Sequence, residues 1–173
     1  MIISKFVSGI SAIGLSIILF ACSVSVPQRG YLKSGKEVPD DLTPYQWNFE
    51  QGDFEDVLLA VSVGVSTVFG NDLGGAVLFD GWNVSRIQKL GTFDGIYTIE
   101  DEGLSRLVFV DDKEIASLTC EPWREASEKN VTVFSQNCNG SLNGRIRVDM
   151  AGDITEIYQR IVPSMPPLLM TKR

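Results

Sequence analysis

The 173-residue chain contains no histidine. That removes the base of every Ser-His or Cys-His nucleophilic pair, and with it the imidazole ligand on which many zinc sites depend. Basic residues are few: 15 Lys and Arg stand against 22 Asp and Glu, a formal charge of −7. Such a surface repels nucleic acid and anionic lipid headgroups alike, so no nucleic-acid partner is expected. Cysteine is scarce, with three in the chain. Too few thiols and no imidazole leave a tetrahedral metal centre without its ligands, so neither a metal nor a cofactor is expected. No Ser lies in a G-x-S-x-G or S-x-x-K setting, and neither a P-loop nor a dinucleotide-binding glycine pattern is present. No catalytic residue is therefore assigned.

A long apolar run is missing as well. Phe6 to Ala21 is sixteen residues without a charge, preceded by Lys5, whereas crossing about 30 Å of hydrocarbon takes roughly 20 apolar residues. A positive start, an apolar stretch of this length and a small residue before a cut describe a secretory signal peptide over residues 1–21. Its end, Leu19-Phe20-Ala21-Cys22, resembles the bacterial lipobox, with Phe20 where a small or β-branched residue is usual. The resemblance implies cleavage before Cys22, acylation of its sulfur, and a membrane as partner through that lipid anchor. Two or three acyl chains hold a protein stably where one holds it marginally. An uncleaved anchor and plain secretion are the alternatives. Ser23, in place of an Asp, resembles the sorting signal for the outer membrane, on its periplasmic face.

Setting Cys22 aside leaves Cys120 and Cys138 in an oxidising compartment. A disulfide between them is the expected pairing, with two separate buried thiols as the alternative.

What the chain does have is period-2 patterning. Residues 22–48 carry three Pro and two Gly with little periodicity and read as a lipidated N-terminus and tether. From Phe49 onward, "VSVGVSTVF", "GGAVLFDGW", "GIYTIE", "SRLVFV", "EIASLTC" and "NVTVFSQNC" are runs of strand length, rich in β-branched and aromatic residues. "GRIRVDM-AGDI-TEIYQRIV" reads as a hairpin turned at Gly152-Asp153. In the simplest register Ile146, Val148 and Met150 share a face with Ile157 and Ile161, but Arg145 then opposes Arg160 and Asp149 opposes Glu156, a repulsion that a longer loop would relieve. "WNVSRIQKL" fits a strand or a short helix. The expectation is a single mainly β domain, 49–173, of about eight antiparallel strands in a sandwich or open barrel, with a Pro-rich tail that cannot continue the sheet beyond Pro163.

Glu100-Asp101-Glu102 and Asp111-Asp112-Lys113-Glu114 could supply paired carboxylates or calcium ligands, but each falls where a strand meets a turn and reads first as a solvated loop end. For binding, Trp82, Arg145, Arg147, Tyr158 and Arg160 are the candidate glycan-contacting residues, since aromatic faces stack on sugar rings and guanidinium groups pair with uronate or phosphate. Trp47, Trp123 and Tyr97 are further aromatics for which a core position is the alternative.

"LTC", "NC" and "NGRIRVDMAGDITEIYQRIVPSMPPLL", with "VLFDGWNVSRIQKLG" upstream, resemble the YjbF/GfcB-type lipoproteins of exopolysaccharide and capsule operons. Cys120, Cys138, Val148, Asp149, Gly152, Gln159, Pro163 and Pro167 carry the match, over about residues 75–169. It implies a non-enzymatic antiparallel β protein of the outer membrane that assists export or assembly of an anionic polysaccharide, with polysaccharide export proteins as partners. A lipid-carrying half-barrel and a glycan hydrolase with paired carboxylates are the competing expectations.

Overall fold

The structure is a computed structural model and describes residues 45–173. The signal peptide, Cys22 and the tether as far as Pro44 lie outside the described residues. Thirteen strands follow one another: β1 (Gln46–Gln51), β2 (Phe54–Val63), β3 (Ser66–Gly70), β4 (Ala76–Phe79), β5 (Val84–Leu90), β6 (Phe93–Glu102), β7 (Ser105–Val110), β8 (Lys113–Thr119), β9 (Arg124–Glu128), β10 (Val131–Cys138), β11 (Ser141–Asp149), β12 (Ile154–Gln159) and β13 (Leu168–Lys172). All belong to one antiparallel sheet in the order β8-β7-β6-β5-β4-β3-β2-β1-β13-β12-β11-β10-β9. Two meanders, β1 to β8 and β9 to β13, are thus joined down the middle by pairing of β1 with β13.

This is the open-barrel alternative: one sheet curled on itself rather than two stacked. The curl follows from connectivity. The two sheet edges, β8 and β9, are consecutive in sequence and only Cys120–Trp123 separates them. That link is fixed by backbone hydrogen bonds from Asn139 N to Thr119 O (2.8 Å) and Glu121 N to Asn137 O (2.8 Å), and by a disulfide between Cys120 and Cys138. The concave face is lined by Phe49, Leu58, Phe69, Val77, Ile87, Tyr97, Val108, Ile146, Ile157 and Met170. Fully burying such side chains contributes about 1.5–3 kcal/mol each.

Thirteen strands, not about eight, arise because tight turns sit inside runs that alternate straight through them. "VSVGVSTVF" is a hairpin, β2 and β3, turned at Gly64-Val65, with Gly64 at φ +62° as the glycine-first turn requires. β9, "REASE", is exposed throughout and so carries no apolar alternation to betray it. Two boundaries also move. β1 starts at Gln46, and Trp47 is buried against Phe69 (centroids 5.0 Å), so the ordered sheet begins inside the stretch read as tether. The Pro-rich tail does not end the sheet: after Pro163–Pro167 the chain re-enters it as β13, between β12 and β1.

The β11–β12 hairpin has a register that removes the like-charge conflict. A bulge at Arg147/Val148 sets Arg147 across from Glu156 and Arg145 across from Tyr158, while Ile146 still faces Ile157. Met150 falls in the turn and is 80% exposed instead of joining the core. "WNVSRIQKL" resolves as strand β5.

Candidate functional site

The inward positions of β7 are Arg106, Val108 and Val110. The first places a guanidinium, 1% exposed, inside the curl. Its Nε donates to Asp101 Oδ1 (2.7 Å) and its Nη1 to Asn143 Oδ1 (2.7 Å). Nη2 faces Asn83 Oδ1 (2.6 Å), Gln136 Oε1 (3.0 Å) and Asp101 Oδ2 (3.2 Å). The acceptors come from β6, the β4–β5 turn, β10 and β11, so one side chain ties the two meanders together across the interior. The network continues outward. Asn83 Nδ2 donates to Asp101 Oδ2 (2.7 Å), Gln136 Nε2 to Glu121 O (2.9 Å), and Asn143 Nδ2 to Arg160 O (2.7 Å). Gln159 closes the seam by accepting from Val84 N (2.8 Å). Buried polar groups of this kind stabilise most when each is satisfied: the fork of Arg106 meets acceptors from several directions, whereas Gln159 Nε2, at the margin of the network, has no hydrogen-bond partner among the described residues.

Above this network lies an open depression of about 600 Å³, walled by Trp82 and Trp123 and floored by Asn83, Asp101, Glu121 and Gln136. The β4–β5 turn places Trp82: Asp80 Oδ1 accepts from the backbone N–H groups of Trp82 (2.8 Å) and Asn83 (2.7 Å), holding the indole out of the sheet. Trp82 is 47% exposed, with its ring 5.6 Å from Trp123 and 5.2 Å from Phe134. Trp123 lies flush because residue 144 is glycine: a Cβ there would stand 2.6 Å from Trp123 Cη2. The disulfide contributes one edge, since Cys120 and Pro122 also line the depression. Its chemistry is aromatic faces beside carboxylate and amide oxygens, a combination suited to stacking on a sugar ring and accepting from its hydroxyls. The three carboxylates each hold a structural partner: Asp80 its own turn, Asp101 the Arg106 fork, and Glu121 Oε2 the Arg124 guanidinium (2.7 Å).

The other candidate residues stand elsewhere. Arg145, Arg147 and Tyr158 come together on the convex face of β11 and β12, with Arg145 5.4 Å over the Tyr158 ring. Glu156 lies among them, bonded to Arg145 (2.7 Å) and near Arg147 (3.9 Å), and Glu128 approaches Arg147 as well (3.6 Å). Much of that strip's charge is neutralised in place. Arg160 sits past the end of β12, where Nη1 reaches Pro163 O (3.5 Å), and Trp82 faces the concave side. The structure therefore groups Arg145, Arg147 and Tyr158, and separates Trp82 from them. Tyr97, beside Phe93 on the inner face, has its phenol pushed above its ordinary value of 10.0 by burial, then by Asp94 and Asp111.

Sequence reasoning passed over Arg106, Asn143 and Gln136, and grouped Trp82 with arginines from which the structure separates it. The signal for Arg106 was available: in "SRLVFV" it alternates with Val108 and Val110 onto the apolar face. Asn143 and Trp123 carried no such mark.

No protein-family model matches the chain, and no curated protein sequence matches it. Among solved structures, the crystal structure of the hypothetical lipoprotein YmcC from Escherichia coli K12 is similar, with a TM-score of 0.51 over 74% of this chain and 83% of YmcC, at 12% sequence identity. At that identity the likeness speaks for a shared fold.

Proposed function

We propose that this protein is a non-enzymatic, lipid-anchored protein of the bacterial outer membrane that assists export or assembly of an extracellular polysaccharide by holding its sugar units in the Trp82–Trp123 depression. The observation that carries the reading is the half-exposed Trp82 indole standing beside Trp123 over a floor of amide and carboxylate oxygens. The lipobox-like Leu19-Phe20-Ala21-Cys22 supports the anchor, and the neighbour of similar fold is itself described as a hypothetical lipoprotein. Because Asp80, Asp101 and Glu121 line the depression, it suits a neutral or amino sugar unit of the polymer. A lipid carrier needs a large apolar hollow, and here Phe49, Phe69, Phe93 and the Arg106 network fill the curl.

Deleting the gene and restoring it in turn with the wild type and with Trp82→Ala tests the proposal by sugar analysis of the cell surface. Deletion is expected to lower surface polysaccharide, and Trp82→Ala to restore little of it at normal protein level. Loss of one stacked indole corresponds to roughly tenfold weaker binding of the purified polymer. Unchanged surface polysaccharide in the deletion strain would sink the proposal, and shortening of the purified polymer on incubation with the protein would replace it with a hydrolase.

A further inference from the structure

The β2–β3 hairpin differs from the rest of the surface. Between Asp56 and Asp72 there is no charged residue, in a chain where 21% are charged. The water-facing side of an antiparallel sheet ordinarily alternates polar residues outward. Here the convex positions of β2 are Val57, Leu59, Val61 and Val63, and Val61 lies opposite Val68 of β3, which lies opposite Leu78 of β4. The stripe ends at the turn, where Val63 is 53% and Val65 94% exposed. The tip also overhangs its neighbours among the described residues. β1 pairs with β2 only as far as Leu59, and β4 with β3 only as far as Thr67.

The side of the sheet from which the tip projects is also the starting end of β1. Its first residue, Gln46, pairs with Leu59, so the chain joins the sheet on the side from which the tip projects. Arg173 is there too: its N donates to Gln46 O (3.1 Å), and among the described residues its side chain bonds neutral amides, Asn48 Oδ1 (2.6 Å) and Gln46 Oε1 (3.4 Å). Lys172 is paired with Asp153 (3.0 Å), so Arg173 is the basic group close to the point where the chain joins. An uncharged valine tip over that guanidinium has the composition of an interfacial element, apolar at its end and basic at its base.

We propose that the β2–β3 hairpin is a second membrane contact, its tip from Val63 to Val65 dipping into the interfacial region of a zwitterionic bilayer. The location of that bilayer rests on the lipoprotein reading, under which 22 residues separate acylated Cys22 from Tyr45. The hairpin's own affinity for lipid does not. The acidic body disfavours anionic headgroups, so zwitterionic lipid is the matching surface. Hairpin insertion by itself is weak and reversible, and combines with the acyl anchor as a second signal.

The test uses the full chain from residue 22 carrying Cys22→Ser, so that no acyl chain contributes, with vesicles of phosphatidylcholine. Val65→Cys labelled with an environment-sensitive dye is expected to gain and blue-shift its emission on adding vesicles, and to be quenched by lipids spin-labelled near the headgroup. Val63→Asp with Val65→Asp should weaken vesicle co-sedimentation roughly tenfold or more, from loss of exposed valine burial. Ile115→Asp, at an exposed apolar position on β8, should leave it unchanged. A dye that stays water-like with vesicles in excess overturns the proposal. So does an emission shift that follows protein concentration without lipid, which would mean a second copy covers the tip. Failure of lipidation is read separately: wild type and Cys22→Ser would then fractionate alike in cells, whatever the vesicle result.

Discussion

Arg106 occupies an inward position on β7 that the neighbouring pattern reserves for valine, and five side-chain hydrogen-bonding contacts hold it there. A guanidinium taken out of water is costly unless every donor is met, so the net value of this group lies less in added stability than in fixing how the two meanders face one another. Its removal is another matter, because Asp101, Asn83, Asn143 and Gln136 would be left oriented toward an empty centre. Arg106→Ala is expected to destabilise the fold by about 3–5 kcal/mol. Arg106→Lys should recover only a minor part, since an ammonium cannot address acceptors on both meanders with a planar fork. Urea unfolding followed by tryptophan emission measures both, and an Arg106→Ala protein within about 0.5 kcal/mol of wild type would refute the role. The same residue shows what alternation can and cannot tell. It marks Arg106 as inward from six residues of sequence, but the acceptors lie 5 to 37 residues away along the chain, on elements whose placement only the closed sheet supplies.

At the scale of elements, the turns decide most. The β11–β12 pairing was legible as a hairpin from its two Ile-rich faces, and its charge conflict was legible as a reason for a different register. The bulge that resolves it was not, because Asp149 caps the turn through Oδ1, accepting from Ala151 N (2.9 Å) and Asp153 N (3.0 Å), a contact that alternation does not encode. β11 also holds the position on which the depression depends. Gly144 is a glycine in mid-strand, normally a weakness, and its use is the close approach of Trp123. Gly144→Ala is expected to drive the Trp123 ring off the strand, cost about 1–3 kcal/mol through overpacking, and separate Trp123 from Trp82. Near-ultraviolet circular dichroism should lose the signal of the coupled indoles while the far-ultraviolet strand signal stays. Retention of both would mean that Trp123 adjusts in place and that Gly144 has no role in shaping the depression.

For the whole sheet, closure is the central problem. Thirteen antiparallel strands leave two edges, and hydrogen bonding joins β8 to β7 and β9 to β10 without pairing β8 to β9 along their length. The edges meet at one place only among the described residues, the bridge of Cys120 with Cys138 and its flanking bonds at Thr119, Glu121, Asn137 and Asn139. Elsewhere the seam is spanned by side chains, the Arg106 network chief among them. The disulfide closes a loop of 18 residues, which corresponds to about 3 kcal/mol of stabilisation in the chain-entropy model. Reduction should therefore lower the urea midpoint. Its local consequence is the sharper prediction, because Cys120, Glu121, Pro122 and Trp123 all line the depression. With the bridge open, β8 has β7 as its one strand neighbour and the Cys120–Trp123 link is left to hydrogen bonds and packing without a covalent tie, so amide protection should fall first in β8 and β9 while β1 and β13, at the centre of the sheet, keep theirs. Binding of the purified polysaccharide should weaken under reducing conditions in which the protein is still folded. If reduced protein instead loses protection evenly across the sheet, the bridge acts on global stability only, and the depression is held by the Arg106 network without it.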